Sequence, residues 1–170
     1  MDLLTHIFLP LIAIYSLKKE EFSRIYLATA LFAILPDFDV FSGIHRGILH
    51  SLVFLIPLSL LILLSERMLK SEVRYAYTAV FFLFSHIFLD FFAGGVPFLY
   101  PVVKIGVGVE FPLKVGFGSS LVIEGFMPRL VFMTPTPVHG KLFEVFSGFG
   151  VATAIIFALV YLIDSKFKER

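Results

Sequence analysis

Five apolar segments constrain the fold of this 170-residue chain more than any other feature. They cover residues 3–17, 22–35, 47–64, 73–92 and 143–163. A helix needs about 20 apolar residues to cross a bilayer, and 58% of the chain is hydrophobic, above the level of an ordinary soluble domain. The sequence therefore predicts an all-α integral membrane protein with about five transmembrane or membrane-embedded helices. Because the first two segments are short, an alternative is a helical hairpin that enters the bilayer without fully crossing it.

The stretch before the last segment has a different composition. Residues 96–141 are rich in Gly and Pro, and residues 107–111 and 115–117 alternate in a way that predicts a short β-hairpin or an interfacial loop. We therefore predict a single membrane domain. Within it, residues 1–95 form a helical core with a metal site, residues 96–141 form an extramembrane or interfacial loop, and residues 142–170 form the last transmembrane helix and a basic tail.

Basic residues mark one side of the predicted membrane protein. The turns and tail on that side hold Lys18, Lys19, Arg24, Arg67, Lys70, Arg74, Lys166, Lys168 and Arg170. The short loop on the other side holds only Arg46. The positive-inside rule makes the first side cytoplasmic, which predicts a multi-pass plasma-membrane protein with its N-terminus outside and its C-terminus inside. In this topology, four helices bring ionisable residues to their non-cytoplasmic ends.

The ionisable residues at these helix ends are the candidates for a functional site. They are His6, Asp37, Asp39, His45, Arg46, His50, His86 and Asp90. His86 and Asp90 are one helical turn apart and project from one face, and ionisable groups inside an apolar segment usually have a function. Each group also has an ordinary explanation, since Asp37 follows a proline as turn residues often do and the whole set could be a structural polar network. The role of His139, in a Gly- and Pro-containing loop, is left open.

The residue types favour metal chemistry. Because the chain has no cysteine, a metal must be held by imidazole and carboxylate, a donor set that suits Zn²⁺ and also Mn or Fe. The candidates exceed the three protein ligands of a usual catalytic zinc, which suggests a two-metal site with a bridging aspartate. The predicted cofactor is therefore one or two divalent ions. Arg46 could hold a phosphate oxygen or be the counter-ion of Asp37 or Asp39. A net charge of +1 gives no reason to expect a nucleic-acid partner.

Several spaced pieces of sequence carry a resemblance to a known family. They are His6, LPDFD at 35–39, HRGILHS at 45–51 and SHIFLD at 85–90. In this order, over about the first hundred residues, they resemble a family of membrane-bound proteins assigned by motif as metal-dependent hydrolases, which includes a bacterial SOS-regulated (LexA-controlled) inner-membrane protein. That family is distantly similar to zinc-dependent phospholipase C and the P1-type nucleases, which are helical and use a cluster of three zinc ions.

The resemblance implies a role for each candidate. It implies that the metal ligands are His6, Asp37, His50, His86 and Asp90. It implies that Asp37 or Asp90 bridges two ions while the other serves as base, and that the remaining candidates position these groups or contact substrate. The predicted catalytic residues are therefore Asp37, Asp39, His45, Arg46 and Asp90. After Asp90 the chain departs from the phospholipase pattern, because His139 and Glu144 have the wrong spacing for its remaining zinc site.

The predicted function is therefore that of a membrane-embedded, phospholipase C-like hydrolase. Metal-activated water would attack a phosphoester, such as a phospholipid head group, on the non-cytoplasmic side of the lipid bilayer. One alternative is a metal-ion or proton transporter or channel, but a transport path needs polar groups through the full depth of the membrane, and here they stop at the outer helix ends. The other alternative is a structural membrane protein with a polar network. The oligomeric state is not predicted.

Overall fold

Helices form most of the chain in a computed structural model, which describes residues 2–19, 22–71, 73–112, 114–117, 121–125, 127–138 and 145–168. The α-helices are α1 (Leu3–Leu17), α2 (Ile25–Thr29), α3 (Leu52–Lys70), α4 (Arg74–Phe91) and α5 (Gly148–Lys168). Shorter 3-10 helices cover Ala30–Ile34, Pro36–Ser42 and Ile48–His50. Residues His139 and Glu144, considered above for a further metal site, lie outside the described residues.

The chain divides into two compact units. The first unit comprises Met1–Pro36, Pro57–His86 and Gly140–Arg170, and the second comprises Asp37–Ile56 and Ile87–His139. The division falls inside the two long helices α3 and α4. The single membrane domain expected from the sequence stays a prediction.

In the first unit, α1 packs along α5. Asp2 caps α1, because its carboxylate accepts hydrogen bonds from the Thr5 backbone N–H at 3.2 Å and from the Ser147 hydroxyl at 2.6 Å. Pro10 lies inside α1 without ending it. Apolar residues of the helices form the core of this unit, with Leu11, Tyr15, Ala30, Ala33, Phe82 and Phe157 as its buried members.

Two helices are long and apolar enough to cross a membrane. They are Leu52–Lys70 and Gly148–Ser165, and a third span is available if Ile25–Ile34 and Pro36–Ser42, which are separated by a break, count as one broken span or a re-entrant loop. α1 is apolar but shorter. Within the described residues, the structure therefore supports two or three spans, and the predicted number of five is not supported.

α4 shows why a count from hydrophobic runs was too high. It has 18 residues, which is long enough, but they include Arg74, His86 and Asp90. Such polar residues lower the hydropathy of a segment and are costly in lipid. α4 is consequently not among the candidate spans.

The second apolar segment is less regular than predicted. We expected one helix over residues 22–35, then a loop with Asp37 and Asp39. The α-helix instead ends at Thr29, and a 3-10 helix, Pro36–Ser42, begins at the proline. Proline is tolerated in the first turn of a helix because no backbone N–H is needed there. Both carboxylates therefore lie in a 3-10 helix, and their placement in a loop was wrong.

The second unit contains short antiparallel sheets, so the protein is mostly helical rather than all-α. β1 (Ile44–His45) pairs with β6 (Thr136–Pro137), β2 (Gly106–Glu110) with β5 (Arg129–Met133), and β3 (Lys114–Phe117) with β4 (Leu121–Glu124). The alternating stretches predicted at 107–111 and 115–117 are largely strands. However, they do not pair with each other, because each takes a later partner in the sequence.

Two glycines let the end of α4 approach β2. A Cβ atom on Gly108 would collide with the backbone of Gly95, which has a φ of +99°. Few residues other than glycine adopt this φ, and only glycine permits so close a backbone contact. This contact fixes the segment after α4, whose carbonyl groups take part in the site described next.

Candidate metal centre

His50 lies at the centre of a polar cluster in the second unit. It is completely buried, and its Nδ1 is 2.9 Å from Oδ2 of Asp39. Asp39, which is 1% exposed, also accepts hydrogen bonds from the backbone N–H groups of Gly47 at 2.7 Å and Leu49 at 3.0 Å. A carboxylate on one imidazole nitrogen fixes the ring and leaves the other nitrogen to bind a metal. Asp39 is thus placed behind His50 and orients it.

The other nitrogen of His50 faces two further carboxylates. Its Nε2 is 3.9 Å from Oδ1 of Asp37 and 3.5 Å from Oδ2 of Asp90. Asp37 comes from the 3-10 helix that starts at Pro36, and Asp90 comes from the last turn of α4. One imidazole and two carboxylates thereby converge within the second unit.

Arg46 holds Asp90 and the end of α4. Its Nε is 3.0 Å from Oδ2 of Asp90, and its Nη1 and Nη2 donate hydrogen bonds to the carbonyl oxygens of Gly95 at 2.9 Å and Ala93 at 3.0 Å. The residue itself has a φ of +57°, an uncommon conformation for a non-glycine residue. We expected Arg46 either to bind phosphate or to pair with Asp37 or Asp39. Its described partners are Asp90 and two carbonyl groups.

Negative groups outnumber positive ones among the described contacts of this cluster. Three carboxylates surround His50, whereas Arg46 supplies one positive charge. Burial alone lowers the pKa of His50, but hydrogen bonds to Asp39 and Asp90 and the charges of Asp90 and Asp37 outweigh it and raise the pKa overall. The same carboxylates would attract a bound cation.

His45 lies beside this cluster. It belongs to β1, opposite Thr136 of β6, and its ring centroid is 6.1 Å from that of His50. Burial and the charge of Arg46 lower the pKa of His45 to about 4. The imidazole of His45 is therefore neutral near pH 7 and adds no positive charge to the carboxylates.

The first unit holds a pair of buried histidines. The rings of His6 and His86 stack with a centroid separation of 3.8 Å, and both side chains are completely buried. Nδ1 of His86 is 2.5 Å from the carbonyl oxygen of Ala33. As with His50, a fixed Nδ1 leaves Nε2 as the nitrogen that can act as a ligand. Along α4, His86 stands one turn before Asp90.

The chain matches the model of a known sequence family. The family model described as YdjM inner membrane protein matches residues 1–166. The chain belongs to the YdjM inner membrane protein family. Together with its apolar helices, this family membership makes the protein a membrane protein. No curated protein and no solved structure matches the chain significantly. The likeness to phospholipase C and the P1-type nucleases therefore stays a prediction.

In this YdjM-family protein, the residues predicted as ligands are distributed over the two units. Buried His and Asp groups in the described part of the chain could hold a metal ion. His6 and His86 lie in the first unit, and Asp37, His50 and Asp90 lie in the second. The donor set of imidazole nitrogen and carboxylate oxygen fits Zn²⁺, Mn²⁺ or Fe²⁺.

Sequence reasoning missed the backbone partners that build the site. The N–H groups of Gly47 and Leu49 hold Asp39, and the carbonyl groups of Ala93 and Gly95 hold Arg46. Every residue has a backbone C=O and all except proline have an N–H, so no residue type signals these contacts. The glycines on both sides, in HRG and AGG, were the only available hint of a tight backbone approach.

Proposed function

We propose that this YdjM-family protein is a metal-dependent hydrolase that cleaves a phosphoester. The observation that carries the proposal is the orientation of His50. Its Nδ1 is fixed by Asp39, and its Nε2 faces Asp37 and Asp90. Buried charge of this kind is costly, and a divalent cation would offset it.

The carboxylates around His50 differ in a way that suggests different roles. The side chains of Asp39 and Asp90 are 1% and 2% exposed, whereas that of Asp37 is 23% exposed. Asp90 is paired with Arg46 and is suited to be a permanent ligand. Asp37 is the carboxylate that a water molecule can reach, and we assign it the role of ligand or general base.

A bound divalent ion would polarise water and withdraw charge from a phosphoryl oxygen. Asp37 would accept the proton of the attacking water as the new P–O bond forms. The P–O bond to the leaving group would break, and the leaving alkoxide would take a proton from solvent to become the released alcohol. Asp39 keeps His50 in one tautomer throughout, and Arg46 keeps Asp90 in place.

The donor set supports a choice of ion, and the membrane location supports a choice of substrate. We propose Zn²⁺ as the ion, with Mn²⁺ or Fe²⁺ as the chemically acceptable substitutes, and one or two ions per chain. A phosphoester in a lipid head group suits an enzyme that lies in the bilayer. The distribution of Lys and Arg supports a site on the non-cytoplasmic side.

The test is hydrolysis by the purified, metal-loaded protein in detergent. The substrates are a chromogenic phosphodiester and phospholipids in mixed micelles. We expect metal-dependent turnover and a loss of about 100-fold or more in Asp37→Asn, the range for removing a general base. Asp164→Asn is the matched control, because the described partners of Asp164 are Tyr15 and Lys19. If the metal-loaded protein cleaves neither substrate class, or if both variants keep full activity, the proposal is wrong.

A further inference from the structure

A groove in the first unit is lined by residues that the metal centre does not use. Its volume is about 430 Å³, within the usual range for a ligand pocket. α2 and the 3-10 helix after it form one wall, and the later part of α3 and the start of α4 form the other. The walls are mainly apolar, with Ile25, Phe32, Leu61, Leu69 and Ala79 among the lining residues.

Among the described residues that line the groove are one cation and one anion. Lys70 and Glu66 both line it and lie four residues apart on α3, which places them on one face. Nζ of Lys70 is 5.1 Å from the centroid of the Tyr75 ring. Lys70 is the last residue of α3, a candidate span, and Tyr and Lys are typical of the level where a membrane helix meets lipid head groups.

Glu66 has one oxygen that calls for a hydrogen-bond donor. Its Oε2 accepts a hydrogen bond from the backbone N–H of Ala76 at 2.5 Å. Its Oε1 is buried and has no hydrogen-bond partner among the residues that the structure describes. A buried carboxylate oxygen without a donor is destabilising, and such atoms are usually satisfied by a ligand, water or ion.

We propose that this groove binds a phospholipid with an ethanolamine head group. The acyl chain would lie along the apolar walls, the phosphate would contact Lys70, and the ammonium group would donate to Oε1 of Glu66. A cation and an anion at one end of an apolar groove match the two charges of this head group. The site uses none of the residues assigned to hydrolysis, so it stands whether or not the protein is a hydrolase.

Native mass spectrometry of the delipidated full-length protein tests this directly. The protein is titrated with phosphatidylethanolamine, phosphatidylcholine and phosphatidylglycerol that carry the same acyl chains. We expect the ethanolamine lipid to bind at the lowest concentration. Lys70→Gln should weaken its binding about fivefold, the effect of one basic residue near a lipid head group. Glu66→Gln should remove the preference for ethanolamine while its amide oxygen still accepts from Ala76.

Arg67→Gln is the matched control, because Arg67 is exposed at the same end of α3 but does not line the groove. We expect it to bind the ethanolamine lipid as the wild type does. Equal binding of the three lipids would overturn the proposal, and so would tighter binding of phosphatidylglycerol. An equal effect of Lys70→Gln and Arg67→Gln would show a general surface charge effect and would overturn it as well.

Discussion

Replacing Asp39 with asparagine tests whether the polar cluster is a metal site with an oriented histidine. Oδ2 of Asp39 accepts from Gly47 N–H and from His50 Nδ1–H, and Leu49 N–H is shared between the two oxygens at 3.0 and 3.1 Å. An asparagine with its oxygen in the Oδ2 position keeps the contacts to Gly47 and His50. Its NH₂ group then faces the N–H of Leu49 in a buried place.

The magnitude follows from these contacts. One buried polar group without a partner costs about 1–3 kcal/mol in the free energy of unfolding. The effect on metal affinity should be of similar size, because His50 loses its carboxylate partner while it keeps its position. Changes of this kind lower metal affinity about 10- to 100-fold.

The assay is competition for Zn²⁺ between the purified protein and a chromophoric chelator, together with a thermal melt of the metal-free protein. Asp164→Asn is again the control, since Asp164 also accepts from a side chain, the Tyr15 hydroxyl at 2.7 Å. We expect weaker Zn²⁺ binding in Asp39→Asn and unchanged binding in the control. Unchanged Zn²⁺ affinity in Asp39→Asn would refute the idea that Asp39 prepares His50 to bind a metal.

Three further predictions concern the supports of the site, the N-terminal cap and the topology. Arg46→Lys should lower the free energy of unfolding by about 1–3 kcal/mol, because one ammonium cannot reproduce the contacts to Asp90, Ala93 and Gly95. The measurement is a denaturant titration in detergent, and a stability equal to that of the wild type would contradict these contacts. Burial raises the pKa of Asp2, but hydrogen bonds from Ser147 and Thr5 outweigh it and leave the pKa below its usual 3.8. The stability that this carboxylate contributes is therefore present above about pH 4 and is lost as the pH falls through the lowered pKa. The wild type should melt at a higher temperature than Asp2→Asn, and this difference should shrink in acid. A difference that grew in acid would count against the cap. Because the chain has no cysteine, Phe41→Cys and Met68→Cys, both at positions 86% exposed, can be labelled in intact cells with a membrane-impermeant maleimide. Only Phe41→Cys should react if the polar cluster around His50 faces the non-cytoplasmic side. The opposite labelling would invert the topology.

Local sequence signals predicted the bounds of two of the five helices closely. The segment predicted at residues 3–17 is α1, and the segment predicted at residues 73–92 is α4 with one residue fewer at each end. Apolar runs bounded by polar caps and glycines are local features, so a single sequence contains them. The predicted number of spans was not supported because an apolar run does not show where its helix ends. In the second segment, α2 ends after five residues.

Contacts that depend on distant residues could not be predicted. β2 pairs with β5 across a long separation in sequence, and the alternating pattern at residues 107–111 gives no information about its partner. Similarly, the sequence indicated that Asp37, Asp39 and Asp90 matter, but not which of them faces Nδ1 or Nε2 of His50. That difference arises from the 3-10 geometry after Pro36 and from the way Arg46 holds the end of α4.

The most direct test of the metal centre is the metal content of the purified protein, measured by elemental analysis after loading with Zn²⁺ and removal of excess ion. The variants are His50→Gln and, as control, His45→Gln, since His45 lies beside the cluster and is not among the predicted ligands. We expect at least one ion per chain in the wild type and in His45→Gln, and a clear loss in His50→Gln. A wild-type protein that binds no ion, or a His50→Gln variant that keeps the full content, would contradict the assignment of this cluster as a metal site.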